Sequence, residues 1–212
     1  MKIEAMGAIN GGKYEDIAID GVGKIKGDIE VNRLNINGVC KCTGLLSSTE
    51  FVCDGVFDGN RNIKSKNIRV DGVMKLSAGN LEGDCLYCDG VLQTKGNVSF
   101  DMVDINGYIS AKEITGDSIK IHNNIDRNVD MEKNIFHFLK GNTNSKNYCT
   151  IELIEASTIT IQGVKAQTVS GEDVVINKDC EVNVVNAIKS LRIHPSAIVK
   201  NNLGIDPMPW ID

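Results

Sequence analysis

Few side chains in this sequence have the type and spacing that catalysis requires. The three histidines, His122, His137 and His194, lie far apart, and no two of them are spaced four residues apart with a glutamate between, as in a metalloprotease helix. For such isolated histidines, a surface position is a more common role than that of a base or ligand. The sequence contains no phosphate-binding loop and no nucleophile elbow. We therefore predict no enzymatic activity, no catalytic residue and no cofactor.

Two patterns resemble metal sites without meeting the requirements of one. Cys85 and Cys88 have the CxxC spacing of a zinc or redox site, but the sequence has no second pair of this kind. Asp or Asn recurs before glycine, yet the nine-residue repeat of calcium-binding β-rolls is absent. We therefore predict no metal site. Cys53 and Cys88 are interpreted as small core residues, and the Asp/Asn positions as chain corners.

The composition narrows the class of protein. The chain has 212 residues, of which 42% are hydrophobic and 24% charged, which fits a folded unit of one ordinary or two small domains. Its net charge of -5 argues against nucleic acid as a partner. No transmembrane helix or secretory signal is predicted, and the seven cysteines are interpreted as reduced thiols in a cytoplasm. The 21 glycines, 3 prolines and 5% aromatic residues favour a narrow, repetitive β-architecture.

A repeat of seventeen residues explains this composition. Six glycines, each preceded by Asp or Asn, recur at every seventeenth position, with a single spacing of eighteen: Gly21, Gly38, Gly55, Gly72, Gly90 and Gly107. Apolar residues stand two and four positions before each glycine, as Ile17 and Ile19 do before Gly21. This alternation predicts a strand with one buried face that ends at a corner. Asp, Asn and Gly suit such a corner because they tolerate left-handed backbone.

Seventeen residues are too few for a strand–helix unit and too many for one arm of a hairpin. The sequence therefore predicts an all-β fold, a single-stranded parallel β-helix with three short strands per coil and about 17 residues per coil. Coils would stack ~4.8 Å apart, with Ile36 and Val73 buried in inward ladders. The spacing of Ile159, Ile176 and Ile193 predicts about three further coils after residue 155.

The interruption of the repeat divides the chain into segments. We predict an N-terminal cap or tail over 1–13, coils over 14–121, an insertion over 122–150, coils over 151–200 and a C-terminal tail over 201–212. Within the insertion, Met131, Ile135, Phe138 and Leu139 follow a helical spacing. We interpret it as a short amphipathic helix on the β-helix flank, with disorder as one alternative. The other alternative is a peg, formed by Ile135, Phe138 and Leu139, that contacts a membrane or a partner.

Lysines recur at fixed positions after the corner glycines. Stacking of the coils would align them in a basic stripe along one side of the protein, formed by Lys24, Lys26, Lys41, Lys75, Lys95 and Lys112. Solubility and protection of strand edges explain such residues. Contact with anionic lipid headgroups or with an acidic partner is the more specific alternative.

The repeated corner and the return of the repeat after an interruption resemble the bactofilins, the polymer-forming cytoskeletal proteins of bacteria. The segments TIELIEA from Thr150 and CEV from Cys180 are similar to the final coils of bactofilin-like proteins of Gram-positive bacteria. The resemblance covers roughly residues 14–200. It implies a right-handed β-helix that polymerises end to end without nucleotide. The implied role is a cytoplasmic scaffold, often near the membrane, that supports cell shape, motility or the positioning of partners.

A structural scaffold is therefore the favoured function, with the chain itself as partner and a membrane surface or membrane-associated protein as a second one. At the C-terminal end, we expect the polymer contact to include Leu191, Ile193, Ile198 and Val199. One alternative is a monomeric solenoid that binds a carbohydrate or a protein. The other is an acyltransferase on a left-handed hexapeptide β-helix, for which three glycine pairs six residues apart give a partial signal: Gly21/Gly27, Gly38/Gly44 and Gly90/Gly96.

Overall fold

The computed structural model describes residues 1–123 and 148–211 and shows a parallel β-solenoid. This confirms the predicted fold class. The described residues contain no helix. The sixteen strands are β1 Lys2–Ile3, β2 Met6–Ile19, β3 Val22–Ile36, β4 Val39–Cys42, β5 Leu46–Cys53, β6 Val56–Gly59, β7 Ile63–Val70, β8 Val73–Leu76, β9 Leu81–Cys88, β10 Val91–Thr94, β11 Asn97–Ile105, β12 Tyr108–His122, β13 Cys149–Gln162, β14 Val164–Ile176, β15 Glu181–Ile193 and β16 Ile198–Asn202.

Each coil lies directly on the preceding one, and all strand pairs are parallel. In the N-terminal half, most partners keep the spacing of the sequence repeat, for example Val39 with Val56 and Leu34 with Phe51. The pairing of β3 with β5 is interrupted at Thr49, so that this coil has three short paired arms, one in β4 and two in β5. The inward ladder before the corner contains Ile3, Ile19, Ile36, Cys53, Val70, Cys88, Ile105, Ile121, Ile161, Ile176 and Ile193. The solenoid thus has about ten turns.

The core is a narrow column because every coil contributes only its inward side chains. Ile36, Cys53 and Cys88 are fully buried, as the repeat predicted. Phe51 and Phe57 supply the largest buried rings and contact each other edge to face, with ring centroids 5.0 Å apart. A column of this width needs few aromatic residues, which accounts for their low number.

The corner glycines stack on one another, and this contact explains why they are glycines. A Cβ on Gly38 would lie 2.0 Å from the carbonyl oxygen of Gly21, and one on Gly55 would lie equally close to that of Gly38. None of the six corner glycines has a positive φ. The expectation of left-handed backbone was therefore wrong here, and close approach of consecutive backbones is the reason for the residue type.

The second glycine of each six-residue pair belongs to another corner. Gly44 approaches the backbone of Gly27, and Gly96 approaches that of Gly79. These glycines therefore stack in a second column, which follows the same coil repeat as the first. This second corner accounts for the partial six-residue signal without a hexapeptide repeat.

The predicted register of the C-terminal coils was partly wrong. Ile159 pairs with Val174, and Ile161 with Ile176, so the offset between these two coils is two residues shorter than the repeat. The corner after Ile161 is shorter than the others, and Gly163 there adopts a φ of +67°. The usual offset returns between Ile176 and Ile193.

Val73 is buried, as predicted, but it does not belong to an inward ladder. It pairs with Val56 in a ladder on the outer side of the corner, in which Val39 and Val56 are 47% and 37% exposed. Met74, the next residue, points inward and is fully buried. In β8, Met74 therefore faces inward, whereas the sequence predicted that Val73 would do so.

The repeat resumes in register across the insertion. Ile121 pairs with Ile161, and Ala111 pairs with Ile151, so the extra residues lie in the corner between β12 and β13. The predicted amphipathic helix and its peg residues Ile135, Phe138 and Leu139 lie outside the described residues.

Candidate functional site

The four predicted polymer contacts occupy different positions at the C-terminal end. Leu191 is completely buried, and Ile193 is partly buried against the core. Val199 pairs with inward-facing Val182 and also packs against the core. Ile198 pairs with Glu181 on the outer surface and is 56% exposed. Ile198 therefore does not extend the inward ladder, as we had expected, because the alternation along β16 places Val199 there.

The last strand leaves one edge without a partner. β16 pairs with β15 on one side, and among the described residues no strand pairs with its other side. Val199 is the inward side chain at this edge. An unpaired parallel edge with an apolar ladder beneath it is suited to pairing with a further strand.

The predicted basic stripe is not continuous. All six of its lysines are exposed, but Asp58 stands between Lys41 and Lys75 in the same ladder. The ammonium group of Lys41 lies 3.6 Å from the Asp58 carboxylate. Lys24 and Lys41 are paired neighbours in one ladder. The stripe is thus divided into short basic groups.

One of these groups lies in a shallow groove that the sequence had not indicated. Lys95 and Lys112 line the groove, and Lys165 and Lys200 from later coils join them. The groove has a volume of about 550 Å³ and also contains Glu152 and Glu181. Lys165 forms an ion pair with Glu181 at 3.2 Å, so the groove has mixed charge. The repeat after the corner glycine missed Lys165 because its coil has a shortened corner.

The Asp/Asn ladder is held together by side-chain contacts. Asn37 donates a hydrogen bond to the carboxylate of Asp20 at 2.7 Å. Arg69 lies 2.8 Å from Asp71 and 3.9 Å from Asp89. These contacts provide partners for the carboxylates of Asp20, Asp71 and Asp89. In residues 1–123 and 148–211, no group of three or more His, Cys, Asp or Glu side chains is arranged to hold a metal ion.

The histidines that the structure describes are separate from one another. His122 and His194 are partly buried, and His137 lies outside the described residues. The Nδ1 atom of His194 accepts a hydrogen bond from the Ser196 backbone N–H at 3.1 Å. The His194 ring contacts Trp210 edge to face, with centroids 4.9 Å apart. His194 therefore has a packing role at the C-terminal end.

Six of the seven cysteines are buried, and only Cys85 is partly exposed. Burial raises the pKa of Cys40, Cys53 and Cys88 to about 12, and that of Cys180 to about 11. A thiol with so high a pKa forms almost no thiolate at neutral pH and is unreactive.

We expect a thiol reagent at pH 8 to label Cys85 alone in the folded protein and all seven cysteines after denaturation. The Cys85→Ser variant is the control and should show almost no labelling in the folded state. Rapid labelling of several thiols in the folded protein would contradict the burial described above. Burial raises the pKa of these thiols in the folded state. The stability gained from burying neutral thiols is therefore fully present below about pH 8.5, and it is lost as the pH rises toward 12.

Comparisons with known proteins add no identification. No family model matches the chain, no curated protein matches it, and no solved structure matches it. Among the described residues, no helix has the length and apolar character needed to cross a membrane.

Proposed function

We propose that this protein is a bactofilin-like scaffold that assembles end to end into polymers without nucleotide. Such polymers would support cell shape, motility or the positioning of partner proteins. The observation that carries the proposal is the unpaired outer edge of β16, which follows a solenoid built of stacked apolar ladders. A coil of a second copy could pair with the backbone N–H and C=O groups of this edge in the way that each internal coil pairs with the preceding one. The proposal includes no enzymatic activity.

Two neighbouring residues of β16 allow a direct test of assembly through this end. Val199 lies on the inward side and Ile198 on the outer side of the same strand. We expect Val199→Arg to abolish filaments or large oligomers, because the charge would be placed where apolar ladders meet. We expect Ile198→Arg to retain them, because that side chain already projects into solvent.

Negative-stain electron microscopy and light scattering of the two variants beside the wild type provide the measurement. Circular dichroism checks that both variants keep the β-solenoid. Loss of assembly in Ile198→Arg alone would indicate lateral contacts and contradict the end-to-end proposal. A Lys24/Lys41/Lys75→Glu variant extends the test to the basic residues along the side, where we expect little effect.

A monomeric binding solenoid is the second candidate, and the groove lined by Lys95, Lys112, Lys165 and Lys200 supports it. Its volume of about 550 Å³ lies within the range of small-molecule sites. A protein that stays monomeric under every condition, including changes that uncover its C-terminal end, would favour this candidate. Calorimetry with coenzyme A tests the acyltransferase alternative in the same preparation.

A further inference from the structure

The residues after β16 follow the path of one more partial coil. The backbone N–H groups of Leu203, Ile205 and Met208 donate to the carbonyl oxygens of Val185, Ala187 and Leu191, at 2.9, 3.0 and 2.8 Å. Met208 also forms a parallel bridge with Arg192. We call residues 203–210 the C-terminal strap.

The strap covers apolar residues of the preceding coil. Ala187 is 1% exposed and Leu191 is fully buried, although the coil above them is incomplete. Leu191 is one of the residues expected at the polymer contact. Its burial means that a second copy reaches it only when the strap has left.

Two prolines limit further pairing along the strap. Pro207 and Pro209 flank Met208, which donates toward Leu191, and proline has no N–H to donate to another strand. The Asn202 side chain accepts from the Gly204 N–H at 3.0 Å and donates to the Ile205 carbonyl at 2.8 Å.

The strap is held by fewer contacts than an internal coil. Leu203 is 73% exposed and Ile205 is 37% exposed, so their side chains bury little surface against the solenoid. The attachment includes the three backbone hydrogen bonds described above, the Asn202 contacts and the packing of Trp210 on His194. Most residues of an internal coil such as β5, in contrast, have paired neighbours on both sides.

We propose that the strap is a removable cap that controls assembly at the C-terminal end. In place, it covers Ala187 and Leu191 and presents an edge that another copy extends poorly. Displaced, it exposes an apolar strand edge whose partner is a second copy of this chain. This inference rests on the proposed scaffold function and adds a control point to it.

A reversible disulfide tests the cap in one protein. Arg192 and Met208 are Cα partners in adjacent strands, a placement that a disulfide can bridge. The variant Arg192→Cys/Met208→Cys in a Cys85→Ser background would lock the strap when oxidised and free it when reduced. We expect the oxidised form to assemble less than the same sample after reduction, as measured by light scattering and electron microscopy.

Weakening the strap should have the opposite effect. Met208→Pro removes the N–H that bonds to Leu191, and Trp210→Ala removes the contact with His194. We expect the double variant to assemble at a protein concentration at least about tenfold below that of the wild type, because a larger fraction of molecules is competent. Ile211→Ala is the matched control, since Ile211 is 84% exposed beside the same segment.

The outcomes separate the cap from the function on which it rests. Equal assembly of the oxidised and reduced forms would overturn the cap and leave the scaffold function standing. A protein that stays monomeric under every condition would overturn the scaffold function itself. This outcome includes the variant with the weakened strap, provided that its circular dichroism spectrum still shows the β-solenoid. Assembly that appears only after reduction or weakening of the strap supports both.

Discussion

Gly38→Ala is expected to destabilise the protein by more than about 3 kcal/mol, the upper end of the usual cost of overpacking. The added Cβ would lie 2.0 Å from the Gly21 carbonyl oxygen and 2.6 Å from that of Asp20. That Gly21 carbonyl accepts a hydrogen bond from the Val39 N–H at 2.9 Å and is fixed between two coils. The clash therefore requires movement of paired backbone, which would separate the coils at this corner.

Gly7→Ala provides the matched control for this prediction. The nearest atom to a Cβ on Gly7 is the Cδ1 of Ile3 at 3.3 Å, the end of a flexible side chain. A small displacement of that side chain accommodates the methyl group. Urea unfolding of the two variants compares their stabilities directly. Equal losses, or a wild-type midpoint for Gly38→Ala, would contradict the close glycine stacking.

The sequence predicted the corners well because each corner repeats one steric requirement. Every coil from Gly38 to Gly107 places a glycine over the carbonyl of the previous one, so the spacing appears directly in the chain. The reason offered for glycine was wrong, however. Left-handed backbone and close approach both favour glycine, and only the folded structure distinguishes these two causes.

The C-terminal register was not predictable from the same rule. Its corner reads Gln162-Gly163-Val164, without the Asp or Asn that precedes each of the six repeat glycines. The shortened corner has a positive φ at Gly163 and accounts for one of the two residues by which the offset between Ile161 and Ile176 falls short of the repeat. A constant spacing of seventeen residues predicts instead that Ile159 pairs with Ile176, because both positions are apolar.

The candidate site was predicted only in part for a related reason. The alternation of apolar and mixed residues in the sequence concerns the strand before each corner, and it does not determine which residues of the strand after the corner face inward. Val73 and Ile198 were therefore assigned to the inside, although their partners Val56 and Glu181 lie on the surface. The strap was predicted only as a C-terminal tail, because its three backbone hydrogen bonds involve Leu203, Ile205 and Met208, whose spacing forms no repeat.

Met74→Asp tests the orientation of the strand after the corner and should have an effect as large as that of Gly38→Ala. Met74 is fully buried, so the change removes a packed side chain and places a carboxyl group among apolar residues. We expect a loss of at least about 4 kcal/mol, since truncating a buried Met costs about 2–5 kcal/mol before the polar group is counted. Lys75→Asp, one residue further along β8, is exposed and should change stability by less than about 1 kcal/mol.

The pH dependence of Met74→Asp identifies the cause of its loss. Burial favours the neutral carboxyl group, so the folded state would hold its proton above the unfolded pKa of about 3.9. Since the folded state then binds more protons, stability relative to wild type falls as the pH rises above about 4. Urea midpoints at pH 4.5 and pH 7.5 should therefore differ more from wild type at the higher pH. A deficit independent of pH, or an equal loss in Lys75→Asp, would place residue 74 outside the core and reverse the orientation of β8.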